Sequence, residues 1–202
     1  LLTIHADSRG RALAVEGALI AATGPLEQLV AAYPSARVRR WPGILTPGLV
    51  NPHGTELLEG AYHPDPREAG ELGTEPLTGD ALTALAPDDV RWGASARRGV
   101  QRMLAHGTVA VACAEPRRRA VRDAVARSGL VIVARTAEHP GGAPSLDPYA
   151  CGLPVEFAAP RERGSAARFA VFDVPDEASL PIRGARTCVA TVIDGRLVHR
   201  RR

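Results

Sequence analysis

The sequence predicts an α/β fold on three observations: a middle stretch alternating amphipathic helix with apolar strand, strand-rich segments at both ends, and sharp turn signals between them. The 202 residues suit one compact domain, or one domain with a small satellite, and 45% hydrophobic content suffices for a core. Aromatics are only 4%, so that core is expected to consist of small and branched aliphatic side chains, with few ligand-stacking surfaces.

Residues 2–22 read as short strands, because the apolar run from Ala12 has a Glu16-Gly17 turn at its middle, which makes a β-hairpin. Pro25 opens a short helix over 26–33 with Leu26, Leu29 and Val30 on one face and Pro34 as its stop. A strand over 38–41 follows, and the apolar run from Pro42 to His53, bracketed by turn residues, is expected to cross from a first layer into a second. Residues 54–87, rich in Gly, Pro and acids, read as a long loop with short turns, of the kind that is usually functional or mobile.

Asp88 or Asp89 caps a helix over 90–106 that ends at Gly107, and 108–113 is a buried strand. Pro116 then starts a second helix with Ala120, Val121, Ala124 and Val125 as its apolar face and Gly129 as its stop. Residues 130–134 are again a buried strand. This order predicts βα layering with parallel strands. Residues 137–164, dense in Pro and Gly, read as a linker or irregular cover, and strands over 168–174 and 187–193 follow, the second turning through Asp194-Gly195 into a closing hairpin.

Composition narrows the chemistry. All 25 basic residues are Arg, which excludes a Schiff-base lysine and a carbamylated lysine bridging two metals. The net charge of +3 arises from scattered arginine clusters in a mixed-charge chain, without the continuous basic face and interleaved aromatics of a nucleic-acid binder. Cys113, Cys151 and Cys188 form no CxxC pair, so neither a zinc knuckle nor a disulfide framework is indicated, and a reducing cytoplasm is the expected location. No apolar run approaches the roughly 20 residues of a membrane helix. The chain opens Leu-Leu-Thr without Met, so a few leading residues are expected before it.

The segment Gly43-Ile-Leu-Thr-Pro-Gly-Leu-Val-Asn-Pro-His is similar to the crossing into barrel strand one of the metal-dependent amidohydrolases, where the apolar run ends in a His-x-His metal pair. The closing segments Gly164-Ser-Ala-Ala-Arg-Phe-Ala-Val-Phe-Asp-Val and Val189-Ala-Thr-Val-Ile-Asp-Gly-Arg-Leu-Val resemble the C-terminal half of that family's composite β-domain, and Gly99 to Val111 resembles the helix leading into strand two. The nearest group is the imidazolonepropionases and aminodeoxyfutalosine deaminases. The resemblance implies a composite β-sandwich-like domain from 1–46 and 165–202, with 47–164 inserted as a truncated (β/α) barrel-like layer. A complete barrel needs about 250 residues, so only strands one to three can be placed, and the chain reads as internally shortened.

The metal pair is altered. His53 matches the first histidine, but Thr55 takes the place of the second and Asn51 that of the usual Asp, and Thr is a poor substitute for imidazole at a divalent metal. His53, Glu56, Glu59 and His63 lie within eleven residues in a loop at the expected barrel mouth, where a metal site of His53 and His63 would suit zinc or iron, and Glu56 is the leading candidate for general base. The plainer reading is that Glu56 and Glu59 are solvated acids and that His53 caps a strand end or packs against Tyr62. His5, His106, His139 and His199 read as structural or surface residues, Cys113 as an inert core thiol, and Asp65 and Asp80 as solvated acids.

Two functions follow from the resemblance. One is a degenerate amidohydrolase-like protein without turnover that binds a small molecule or a partner; the other is a metal-dependent hydrolase of carbon-nitrogen bonds in cyclic amides or aminated nucleoside-like compounds. An incomplete barrel leaves the flanks of parallel strands uncovered, so a homodimer is expected.

Overall fold

A computed structural model of the chain describes residues 1–135, 141–158 and 161–201. The architecture is mixed α/β, with three four-stranded sheets and no closed barrel among the described residues. The first sheet comes from the N-terminal strands β1 (Leu2–Ala6), β2 (Arg11–Glu16), β3 (Leu19–Pro25) and β4 (Arg37–Arg40), with helix α1 (Leu26–Ala32) before β4, in the order β3-β2-β1-β4. β1 pairs antiparallel with β2, Ile4 opposite Ala14, and parallel with β4. The hairpin expected around Glu16-Gly17 is β2 with β3.

The apolar run from Pro42 does cross between layers. Its first half is β5 (Ile44–Pro47) and its second half is β6 (Leu49–Asn51), and the two strands belong to different sheets. Gly48 is the joint. A Cβ there would stand 2.2 Å from Val109 Cγ2, so only glycine lets the chain turn this close to its neighbour.

In the 54–87 region the structure departs from the expected loop. It contains the short helices α2 (Gly54–Leu58), α3 (Ala69–Leu72) and α4 (Gly79–Leu85), each a turn or two long. Such helices carry too few apolar repeats to announce themselves in sequence and are held by packing. Asp65 is not merely solvated: it accepts from Arg67 N at 3.0 Å and pairs with Arg98 at 3.2 Å.

Helix α5 (Asp89–Leu104) starts where Asp88 accepts from Arg91 N at 2.8 Å, and it buries Trp92, Ala96, Val100 and Met103 at helical spacing. β7 (Thr108–Ala112) follows, then α6 (Arg119–Ser128) and β8 (Val131–Val133). α6 begins three residues later than Pro116 suggests, because Arg118 is extended and its N–H donates to Glu59 Oε1 at 2.8 Å. Gly129 ends it, as expected.

β6, β7 and β8 are parallel, and β9 (Glu156–Phe157) adds antiparallel to β6, giving the order β8-β7-β6-β9. The expected βα layering is therefore present. β8, however, is not a buried strand: Val131 is 37% and Ile132 40% exposed, because β8 is an edge with β7 alone beside it among the described residues.

The last strands, β10 (Phe169–Phe172), β11 (Cys188–Ile193) and β12 (Arg196–Arg200), with helix α7 (Ser179–Arg183) between β10 and β11, complete a sheet of order β12-β11-β10-β5. Val171 lies opposite Leu45, so N-terminal and C-terminal segments share one sheet. Leu13, Val15 and Ile20 of the first sheet pack with Leu45, Phe169, Val171 and Val192 of the second in one buried cluster. A separate cluster unites Val109 and Val111 of β7 with the buried faces of α5 and α6. Each large apolar side chain so buried contributes about 1.5–3 kcal/mol.

No helix among the described residues is long and apolar enough to cross a membrane.

Candidate functional site at the carboxyl ends of the parallel strands

β6 ends at Asn51, and the next residues turn at once into α2, which brings Asn51, His53 and Glu56 to the carboxyl end of the third sheet. Asn51 organises this turn. Its Oδ1 accepts from His53 N at 2.9 Å, while its Nδ2 donates to Ser145 O at 2.9 Å. The side chain in the position of the family's usual acid thus works as a main-chain brace.

His53 is 2% exposed, and its Nε2 lies 2.9 Å from Gly141 O. A carbonyl can only accept, so Nε2 carries the proton and Nδ1 is left with its lone pair. That Nδ1 is buried and has no hydrogen-bond partner among the described residues.

Glu56 faces Arg135, the second residue beyond β8, and both its carboxylate oxygens accept from Arg135 Nη2, at 2.6 and 2.5 Å. Burial works to raise the Glu56 pKa, but the hydrogen bond and charge of Arg135 outweigh it and hold the carboxyl below its ordinary value. A carboxylate engaged in this way is a weak proton acceptor. Glu59 is not a free acid either, since it accepts from the Arg118 amide.

His63 sits elsewhere. It is fully buried against α5, with its amide donating to Ser95 Oγ at 2.8 Å and its Nε2 2.8 Å from Leu57 O. Burial pushes its pKa down, and the charges of Arg102 and Arg98 add to this. A Cβ on Gly99 would come within 2.7 Å of its Nε2, so the ring fills space that glycine leaves open. This is a packing position.

The donor set does not fit a metal centre as it stands. Among the described residues no group of three or more His, Cys, Asp and Glu side chains is placed to hold an ion, and the Nε2 atoms of both histidines are taken by carbonyl oxygens. His139 lies outside the described residues.

Other residues weighed from the sequence have their own partners or surroundings. Cys113 is buried, and burial pushes its thiol up to about 11, which leaves it protonated and inert at neutral pH. His5 is buried at the first sheet, accepting from Trp41 Nε1 at 3.2 Å and meeting the Phe169 ring edge-on. His106 bonds to Arg102 O at 2.8 Å.

Beside Glu56 opens a cavity of about 910 Å³, lined by the apolar Leu57, Ala61 and Leu146 and the polar Glu75, Arg102 and His106. Sequence spacing had singled out Glu56 but not Arg135, its partner. The signal was available in one form: Arg135 follows the end of a parallel strand, the position from which this architecture draws its site residues. Ser145 and Gly141, which act through main-chain carbonyls, left no signal in side-chain identity.

The class of fold is therefore an open α/β layer joined to one mixed and one antiparallel sheet, with Asn51, His53 and Glu56 gathered at the strand ends. Residues 12–36, which carry β2, β3 and α1, match the family model of the imidazolonepropionase-like composite domain of bacteria. That stretch lies within the 1–46 half of the expected composite domain, and the imidazolonepropionase-like resemblance read from the sequence is borne out there. Comparison with curated proteins gives no match.

Among solved structures, the chain is similar to A. niger ochratoxinase, at 20% identity over 70% of this chain and 32% of that one, with a TM-score of 0.45. It is also similar to an adenosine deaminase from Xanthomonas campestris with bound zinc, at 19% identity over 61% of this chain and 28% of that one, with a TM-score of 0.43. An N-isopropylammelide isopropylaminohydrolase from Burkholderia multivorans is similar at 21% identity over 70% of this chain and 39% of that one, with a TM-score of 0.42. The chain spans about a third of the length of these proteins. Likeness of this extent says nothing of activity.

Proposed function

We propose that the protein is a degenerate amidohydrolase-like scaffold that binds a small molecule without turning it over. The observation that carries this reading is the engagement of Glu56: the carboxylate best placed to act as a base is held by both oxygens on Arg135. The cavity beside it, lined by both apolar and polar residues, is of a size that suits a small ligand. The terminal sheets act in this reading as the composite β-domain that supports the layer.

The second reading is a metal-dependent hydrolase of carbon-nitrogen bonds, and one observation favours it. The buried Nδ1 of His53 has no partner among the described residues, and its lone pair is a vacant donor at the strand ends. Elemental analysis of untagged protein purified without chelator separates the two. No stoichiometric zinc or iron, and no turnover of cyclic amides or aminated nucleosides, is expected. Near one equivalent of metal that is lost in His53→Ala would replace the first reading with the second.

The scaffold is further proposed to work as a homodimer. Val131 and Ile132 on β8 and Phe157 on β9, all more than a third exposed, place apolar side chains on both edges of the third sheet. A second copy covering these edges would remove them from water.

A further inference from the structure

A second cavity, of about 620 Å³, lies among β2, β3 and β5, and none of its lining residues borders the cavity beside Glu56. Its apolar wall is made by Leu13, Pro25, Leu45 and Pro47. Arg9, Arg11 and Arg161 line the rest, with the exposed Glu162 at the rim.

The charges here are unevenly paired. Asp7, whose side chain is completely buried, pairs with Arg11 Nε at 2.9 Å, and Glu177 takes Nη1 of both Arg9 and Arg11. Arg161 has no ion pair among the described residues; its Nη1 donates to Leu45 O. Burial and the positive charge of Arg11 push the Arg161 pKa down by more than the charges of Asp7 and Glu177 raise it. Arg9 and Arg11 are thus taken by Glu177 and Asp7, whereas Arg161 and the exposed Glu162 line the recess without an ion pair among the described residues, and an unpaired guanidinium in a partly desolvated recess is costly.

One donor is also left over. Arg11 Nη2 is buried and has no hydrogen-bond partner among the described residues. A buried N–H without an acceptor is rare in a folded protein unless a ligand supplies the acceptor. A guanidinium fork suits a carboxylate, which can take two of its donors at once.

We propose that this groove binds a small organic monoanion, with its carboxylate between Arg161 and Arg11 Nη2 and its apolar body against Leu13, Leu45 and Pro47. The site is independent of the cavity beside Glu56. It needs neither metal nor turnover.

Isothermal titration calorimetry with benzoate, benzamide and inorganic phosphate tests it. Benzoate is expected to bind saturably at one site per chain, and at least tenfold more tightly than the neutral amide or the hydrophilic anion. Arg161→Gln should weaken benzoate at least tenfold, and Glu56→Gln should leave it unchanged. The proposal is overturned if benzoate gives no saturable heat, if benzamide or phosphate binds as well, if Arg161→Gln binds like the parent, or if Glu56→Gln causes the loss instead. Should Arg161→Gln not fold, the arginine Nε–Hε resonances of the unaltered protein decide: benzoate must shift those of Arg11 and Arg161, and shifts confined to other arginines overturn the assignment.

Discussion

His5 shows how burial alone sets a titration. The core around Phe169 and Trp41 pushes its pKa down to about 4, and the charge of Arg39 adds to the effect. The folded state therefore binds the proton less readily than the unfolded chain, so stability is complete above pH 6.5 and falls as pH drops towards 4. The loss between pH 7 and pH 4 should be roughly 3 kcal/mol. Urea denaturation of the parent and His5→Gln across that range measures it, and equal pH slopes for the two proteins would refute the assignment.

Two other residues carry weight out of proportion to their size. Asp7 accepts from the amides of Arg9, Arg11 and Leu45 and from the Arg11 side chain, so Asp7→Ala strands several donors at once and should cost at least about 3 kcal/mol in denaturant. Gly99→Ala drives a methyl group into the pinned His63 ring and should cost about 1–3 kcal/mol by the same measurement. A silent Gly99→Ala would mean that His63 is free to move, which would reopen it as a ligand.

At the scale of elements, α5 has the clearest logic. Its apolar face is continuous, and its start is capped by Asp88, whose removal in Asp88→Ala should cost about 1 kcal/mol in a thermal melt. The neighbouring strands β7 and β8 look alike in sequence, yet only β7 is buried. β7 has β6 on one side and β8 on the other, whereas β8 has nothing beyond it among the described residues. Apolar runs identify a strand but not its rank in the sheet.

For the whole molecule, the exposed edges of the third sheet are the open question of assembly. Light scattering at micromolar concentration should report a dimer, and Ile132→Arg should return it to a monomer without lowering the melting temperature of the terminal sheets. A parent protein that is monomeric under those conditions would refute the dimer.

The sequence by itself determined the α/β class, the two helices between parallel strands, the hairpins at both ends, and the crossing of the run after Pro42 from one sheet to another. These follow from periodicity and turn chemistry, which act between near neighbours. It also determined that His53 and Glu56 would stand near the ends of the parallel strands. What they do there was decided by tertiary structure: Arg135, seventy-nine residues from Glu56, pairs with its carboxylate, and Gly141 O accepts the hydrogen bond from His53 Nε2. The short helices of 54–87, the burial of His63 beneath α5, and the placing of Arg161 on the Leu45 carbonyl were likewise invisible in the chain. Each depends on partners brought together across many tens of residues, and no local pattern encodes which of those partners will arrive.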